Sequence, residues 1–314
     1  GRTRNTYRSA IVAFCNWCVE TGRLEKSPLE NLSKADERTQ PHRVRRALTE
    51  EEVGRLLTAA RLRPIADLGR ETMSTGKKRN PNVPHSRGGW KFVPLTWETL
   101  HEAHARGLTK LEAKPRRREE LELLGEARAL RYLLMVTTGL RKSEASSLTV
   151  EQLHIDAPKP FAELLAKDEK AGRGAKLPLR GDVVDEIRAY LDAWEAFHGQ
   201  RPERGFYAFS GHSDLIRIFN LDLAAAGIAK TDERGRTVDL HCLRHTFGTH
   251  LAMAGVAPRT AMAAMRHSSI QLTMNVYTDP TLLDVAGAIT ELPKFSISKQ
   301  ASHHDCASYC DDGQ

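Results

Sequence analysis

Apolar residues recur at helical spacing over most of this chain, and the places where that period fails divide it into parts. Ile11, Phe14, Cys15, Cys18 and Val19 line one face of a predicted helix over residues 3–20, with Gly22 as its stop and Pro28 beyond. Thr49 opens a second helix through a capping box with Glu52, and its apolar face is Val53, Leu56, Leu57 and Ala60. Between residues 67 and 93 the pattern lapses into basic, glycine- and proline-containing loop chemistry. Thr96 caps a further helix. Pro115 starts a long one whose stripe of Leu123, Ala127, Leu130 and Leu134 ends at Gly139.

The period then shortens. Residues 152–156, 161–167 and 175–179 read as strands, with a glycine-containing turn at 168–174 carrying Lys170 at its tip. Helical spacing resumes over 182–196 and 215–226, and again over 281–292 through Leu282, Val285, Ala286 and Ile289. The expected class is therefore mainly α with a small antiparallel β-sheet. Residues 1–35 hold two helices at most, which reads as the end of a larger N-terminal module that has lost its beginning. Residues 36–47 form a basic linker with Arg43, Arg45 and Arg46, either a solvated connector or a strap across a phosphate backbone. A main domain of residues 48–292 follows, then a flexible tail at 293–314.

Composition adds modestly to this. The 314 residues carry 47 Lys and Arg against 40 Asp and Glu, a net charge of +7 that tilts slightly toward a polyanionic partner. Five cysteines, an odd number, with no apolar leader at Gly1, are those expected of reduced thiols in a cytoplasmic protein. The Cys15–Cys18 pair is read as part of an apolar helix face rather than as a redox motif. No apolar run reaches membrane-spanning length, so a soluble protein is expected. His303, His304, Cys306 and Cys310 lack a standard zinc-ligand spacing, and no metal is expected there. Arg116, Arg117 and Arg118 oppose the dipole of the helix they open, so they are not there for its stability; solvated charge is the first reading and a DNA contact the second.

The chemistry concentrates in residues 240–279. His241 and Arg244 fall on one helix face, Arg266 and His267 adjoin, and Tyr277 follows ten residues later. Arginine grips phosphate through a planar fork that never loses its charge. Cations around a phosphodiester under attack would each contribute on the order of 3 kcal/mol, by analogy with oxyanion-hole donors. They would also favour the phenolate of a tyrosine whose free pKa is near 10, in the same way that nucleophiles are activated elsewhere. Each residue has a plainer reading alone: an ion pair for Arg244, a helix cap for His267, a core aromatic for Tyr277. His241 and His245 could be zinc ligands, but HExxH is absent. Arg141 and Glu144, three apart, would be helix neighbours, with Glu144 holding a preorganised arginine.

Taken jointly, Thr138-Gly139-Leu140-Arg141-Lys142-Ser143-Glu144, His241-Cys242-Leu243-Arg244-His245-Thr246, Met265-Arg266-His267-Ser268 and Tyr277 resemble the signature boxes of tyrosine recombinases, the phage integrase family. The resemblance runs from Thr49 to about Leu292 and implies a catalytic domain preceded by a partial, helical core-binding domain that clamps DNA. It implies that Arg141 and Arg244 bind the scissile phosphate, His267 assists as a donor, His241 helps with proton transfer and Tyr277 forms a 3′-phosphotyrosyl link. Lys170 is the candidate hairpin lysine that protonates the leaving 5′-oxygen, with Lys167 and Lys176 as alternatives, and Glu144 props the first arginine. Neither metal nor nucleotide cofactor is implied, and no GxxxxGK[ST] occurs.

The implied partner is double-stranded DNA, bound by a homotetramer in which the helix after Tyr277 docks on a neighbour. Accessory DNA-bending or directionality proteins and a cytoplasmic, nucleoid-associated site in a bacterial or phage-encoded system belong to the same expectation. A non-catalytic DNA-binding protein of this fold and a type IB topoisomerase-like relaxase are the alternatives. Three departures stand out. Arg266 occupies a position where glycine is usual and is expected to add a phosphate contact, residues 67–119 hold an insertion, and the N-terminal part is short.

Overall fold

The computed structural model describes residues 2–36, 44–76, 89–169, 172–209, 214–277 and 290. Helix α1 (Arg2–Glu20) ends where Gly22 takes a φ of +69°. It is tied to the chain that follows it: the Asn5 amide donates to Ala35 O at 2.9 Å and accepts from Ala35 N–H at 2.8 Å. Cys15 and Cys18 are buried as expected, but Ile11 and Phe14 are 52% and 61% exposed, so the predicted apolar face is only half covered.

Residues 44–48 are not a solvated connector. Arg45 bridges to Thr237 in parallel register, and the Leu48 N–H donates to the buried Thr246 hydroxyl at 2.9 Å. The chain is thereby pinned to the segment that leads into helix α8 (Cys242–Met253).

Helix α2 (Glu50–Gly69) opens with the expected capping box, the Thr49 hydroxyl accepting from Glu52 N–H at 3.1 Å and Glu52 accepting from Thr49 N–H at 3.0 Å. The stretch after it, read as loop, holds two short strands, while residues 77–88 lie outside those described. Strands β1 (Thr72–Ser74) and β2 (Trp90–Phe92) pair antiparallel, Thr72 opposite Phe92, and every position is exposed. With neither face buried, no alternation of polar and apolar residues is needed, which is why the pattern gave no strand signal.

Helix α3 (Trp97–Leu111) then packs on α2 at backbone distance. A Cβ on Gly107 would fall 2.3 Å from Ile65 O, and one on Gly69 would fall 1.8 Å from Ala103 O. The insertion therefore contributes a helix to the core of the domain. Helix α4 (Pro115–Thr138) crosses α2 just as closely, with Gly125 against Arg61 O. At its start Arg117 pairs with Glu120 at 2.6 Å and Arg118 with Glu122 at 2.8 Å, while Arg116 lies over the Phe197 ring. Those contacts account for the basic cluster as surface pairing.

After α5 (Lys142–Ser147) the three strands β3 (Leu153–His154), β4 (Phe161–Leu164) and β5 (Ala175–Pro178) form an antiparallel sheet in chain order. They are shorter than predicted: the core residues Ile155 and Leu179 lie just beyond the paired stretches. Helices α6 (Gly181–His198), α7 (Leu215–Ala225), α9 (Pro258–Ala264) and α10 (Ile270–Tyr277) complete the α-helices among the described residues. Tyr132 and Leu134 of α4, Ile187 of α6, Phe219 of α7 and Leu243 of α8 share one core, each side chain contributing about 1.5–3 kcal/mol by leaving water. The core includes a polar knot: Asp222, fully buried, accepts from Tyr132 Oη at 2.8 Å, Arg63 Nε at 2.5 Å and Arg128 Nη1 at 3.5 Å. The predicted helix at 281–292, apart from Thr290, and the His303–Cys310 cluster lie outside the described residues.

Candidate active site

Gly139 sets the site's geometry. It ends α4 in the left-handed region with φ +66°, and a Cβ there would meet the Phe247 ring at 2.6 Å. The turn makes Arg141 the N-cap of α5 and Glu144 its third residue. Glu144, fully buried, accepts from the Arg141 N–H at 2.8 Å and from Arg141 Nη1 at 2.6 Å, while the Arg141 side chain keeps 23% of its surface open. A surface pair at this spacing would hold little. A buried carboxylate instead restricts the guanidinium to one orientation with one side still accessible.

Helix α8 brings the second arginine, with His241 as its N-cap. Arg244 is 2% exposed, and its Nη1 and Nη2 donate to the carbonyls of Gly139 and Met265. Burial, then the charges of Arg141 and Arg266, push this guanidinium down to about 9, which leaves it cationic at neutral pH.

The turn between α9 and α10 carries Arg266 and His267. Arg266 has a φ of +52°, alone in this among the non-glycine residues described, at a cost of about 1–2 kcal/mol. Its side chain is 8% exposed: Nη2 donates to Glu144 Oε2 at 2.8 Å and to Gly139 O at 3.4 Å, and Nη1 to Thr138 O at 3.4 Å. The guanidinium expected to meet phosphate is thus engaged on the protein interior, with only Nε left buried and unpartnered among the described residues. Burial lowers its pKa, and the carboxylates of Glu144 and Glu169 act against that fall. His267 Nδ1 lies 3.0 Å from Thr273 Oγ1. Burial and the nearby charges, Arg244 first and Arg141 next, push His267 down to about 4; burial, Arg45 and Arg244 lower His241. Both imidazoles are therefore neutral near pH 7 while the site holds no anion.

The structure brings Arg141, Glu144, His241, Arg244, Arg266 and His267 into one electrostatically coupled group in which guanidinium charge exceeds that of the hydrogen-bonded carboxylate. Tyr277 is the last residue of α10, one turn after Thr273. Lys170 and Arg43 lie outside the described residues. Of the alternatives to Lys170, Lys167 is exposed, and Lys176, also exposed, lies over the Phe161 ring at 4.7 Å. Arg45 Nε reaches both oxygens of Asp239 at 2.9 Å and keeps 34% of its side chain open; Arg46 forms a two-point pair with Glu52 at 2.7 Å and is 13% open.

Sequence reasoning missed two members of the group. Thr273 stands four residues before Tyr277, a helical spacing that offered a signal. Glu169, 8% exposed at the foot of the hairpin turn, offered none. Among the described residues no cluster of three or more His, Cys, Asp or Glu is arranged to hold a metal ion, and no helix is long and apolar enough to cross a membrane.

Comparison with known proteins places this arrangement in context. The profile of the phage integrase family matches residues 120–282. The tyrosine recombinase XerD of Lacticaseibacillus casei is 29% identical over 176 residues, which are 54% of this chain and 56% of that protein. XerC of Erythrobacter litoralis is 29% identical over 147 residues, 46% of this chain and 44% of the relative. The chain thus spans about half the length of the curated relatives it matches. Among solved structures, the XerH site-specific recombinase bound to its difH substrate, a post-cleavage complex, aligns with a TM-score of 0.51 at 15% identity. That alignment covers 85% of this chain and 58% of XerH, and it speaks to the fold.

Proposed function

The chain belongs to the phage integrase family, and from that premise we propose that it is a site-specific DNA recombinase acting through a covalent link on Tyr277. The Tyr277 oxygen attacks the scissile phosphorus, a P–O bond to tyrosine forms, and the P–O5′ bond breaks. The departing 5′-oxygen takes its proton from Lys170. Return attack by a 5′-hydroxyl restores the phosphodiester and frees Tyr277, so the bond energy is conserved and no nucleotide is consumed. Arg141 and Arg244 hold the nonbridging oxygens, where charge grows in the five-coordinate state. His267 donates to the same phosphate, and His241 accepts the phenolic proton that Tyr277 gives up and returns it when the link is resolved.

The observation that carries this reading is the pair of arginines fixed on one cage, Arg141 by buried Glu144 and Arg244 by two backbone carbonyls, with more positive than negative charge around them. Double-stranded DNA is the substrate, bound by a homotetramer, with DNA-bending or directionality proteins as accessories at the nucleoid. Residues 1–35 act as part of the core-binding domain, 36–47 as its linker, 48–292 as the catalytic domain and 293–314 as a tail. Of the basic residues assigned to DNA, Arg45 is the most open of those described, while Arg46 and Arg266 are engaged by Glu52 and Glu144.

The test uses nicked duplexes cut from the DNA flanking the gene, which trap a covalent adduct when the 5′ fragment diffuses away. Wild-type protein yields an adduct at one preferred site, and Tyr277→Phe binds the same duplex without forming it. Undiminished trapping by Tyr277→Phe refutes the assignment. Specific binding with no adduct points to a non-catalytic DNA-binding protein, and relaxation of supercoiled plasmid without site preference to a topoisomerase-like relaxase.

A further inference from the structure

We propose that Arg266 is a positioning residue that fastens the His267 turn to the Arg141 loop, with the buried Glu144 carboxylate as their shared anchor. This rests on the recombinase reading for its functional consequence, but the tie itself is a feature of the fold.

Three observations lead to it. First, Arg266 holds a left-handed backbone conformation that disfavours side chains, with φ +52°, yet it is an arginine. A residue in that conformation needs compensation, and its guanidinium supplies it by reaching inward rather than to solvent. Second, its contacts join segments far apart in sequence. Nη2 meets Glu144, 122 residues upstream, whose other oxygen holds Arg141. Gly139 O receives both Arg244 Nη1 and Arg266 Nη2, so one carbonyl ties both arginines to the turn after α4. Third, the buried Glu169 at the foot of the β4–β5 turn, whose carboxylate accepts from the Arg173 N–H at 3.2 Å, adds through space to the negative charge that favours the cationic form of Arg266.

Arg266 thus ties the Arg141 loop and the His267 turn together around a single guanidinium. A planar fork can serve Glu144 and two carbonyls at once, which an ammonium cannot do with the same geometry. Lysine at this position would keep the charge and lose part of the tie.

The test compares full-length wild type with Arg266→Gly, which removes the backbone strain, and Arg266→Lys. The probe is the nicked duplex carrying the site on which the wild type forms its adduct. Arg266→Gly is expected to cleave about tenfold more slowly at saturating DNA with unchanged affinity, as befits loss of a charged hydrogen bond. Arg266→Lys recovers part of that loss. Removing a cation beside Glu144 and His267 raises the pKa of both, so the acid limb of the Arg266→Gly rate profile moves to higher pH. Wild-type rate with an unmoved acid limb overturns the proposal. So does a loss confined to DNA affinity, which would put Arg266 on the phosphate. A second measurement needs no cleavage: a double-mutant cycle of Glu144→Gln with Arg266→Gly in thermal unfolding of the DNA-free protein. The proposal expects strong non-additivity, and additive effects overturn it. If the wild type binds the duplex but never forms an adduct, the recombinase reading fails while the cycle still decides the tie.

Discussion

The hydroxyl of Thr273 lies 3.0 Å from Nδ1 of His267, and that contact leaves Nε2 as the ring nitrogen available to the phosphate of the proposed reaction. When the hydroxyl donates to Nδ1, the proton of the neutral imidazole sits on Nε2, where it can be donated outward. Thr273 is fully buried and one turn before Tyr277 on the same helix, so the His267 contact is made from the helix that carries the proposed nucleophile.

Thr273→Val keeps the shape and removes the hydroxyl. On the proposed chemistry, cleavage at saturating DNA falls about tenfold, the scale of one hydrogen bond, while DNA affinity holds. Nitrogen-15 shifts of His267 should show a mixture of tautomers in the variant. A single Nε2–H tautomer with full cleavage would remove Thr273 from this role.

His267 provides a proton-linkage prediction. Burial and the surrounding arginines push it down to about 4 in the DNA-free protein. A bound phosphodiester places a negative charge among those cations and raises the pKa, so binding takes up protons between about pH 4 and 6.5. Calorimetry at pH 5.5 in buffers of different ionisation enthalpy should give net uptake of a fraction of a proton, reduced in His267→Asn. Release of protons would contradict the charge arrangement.

Glu144 is held below the usual carboxylate value of 4.5: burial alone would raise it, but hydrogen bonds from Arg141 and the Arg266 charge outweigh that. The unfolded chain therefore binds the proton more readily, and stability increases with pH through this window. The contribution is fully present above about pH 4.5 and is lost as pH falls through the lower folded value. Glu144→Gln, which leaves two arginines without their carboxylate, should lose about 3 kcal/mol at pH 7, with the gap to wild type closing in acid. Denaturant midpoints from pH 7 down to 3 measure both. A gap independent of pH would mean that the charge of Glu144 does not stabilise the fold.

What was legible in the chain was local. The Thr49 capping box, the left-handed stop at Gly139 and the stripe of α4 all follow from neighbours within a few residues. The boxes around Arg141, His241–Arg244 and His267 were legible as well, because each presents its chemistry within one turn. The tie between Arg266 and Glu144 was not: it spans 122 residues, and neither residue's neighbourhood signals the other. The β1–β2 pair escaped for a different reason, since strands exposed on both faces carry no alternation. Helix α3 looked like part of an insertion of unknown role, and its place in the core, with Leu100 and Ala103 buried and Gly107 against Ile65, emerges only from the packing.

Asp222 supplies the last prediction, at a distance from this chemistry. It is fully buried on α7 and accepts from Arg63 of α2 and from Arg128 and Tyr132 of α4, across sequence separations of 159, 94 and 90 residues. Arg63 and Arg128 are themselves 5% and 6% exposed, so they depend on this carboxylate, with Asp67 also pairing with Arg63 at 2.9 Å. Replacing a buried ion pair with apolar residues is often harmless, but deleting one partner leaves charge without compensation. Asp222→Ala should therefore cost about 3–5 kcal/mol, whereas Asp222→Asn, which still accepts from Tyr132, should cost less. Equilibrium unfolding in urea separates the two, provided the slope with denaturant is unchanged. An Asp222→Ala loss below about 1 kcal/mol would mean that the arginines find water or another partner once the carboxylate is gone, and that α2, α4 and α7 are held by their apolar contacts alone.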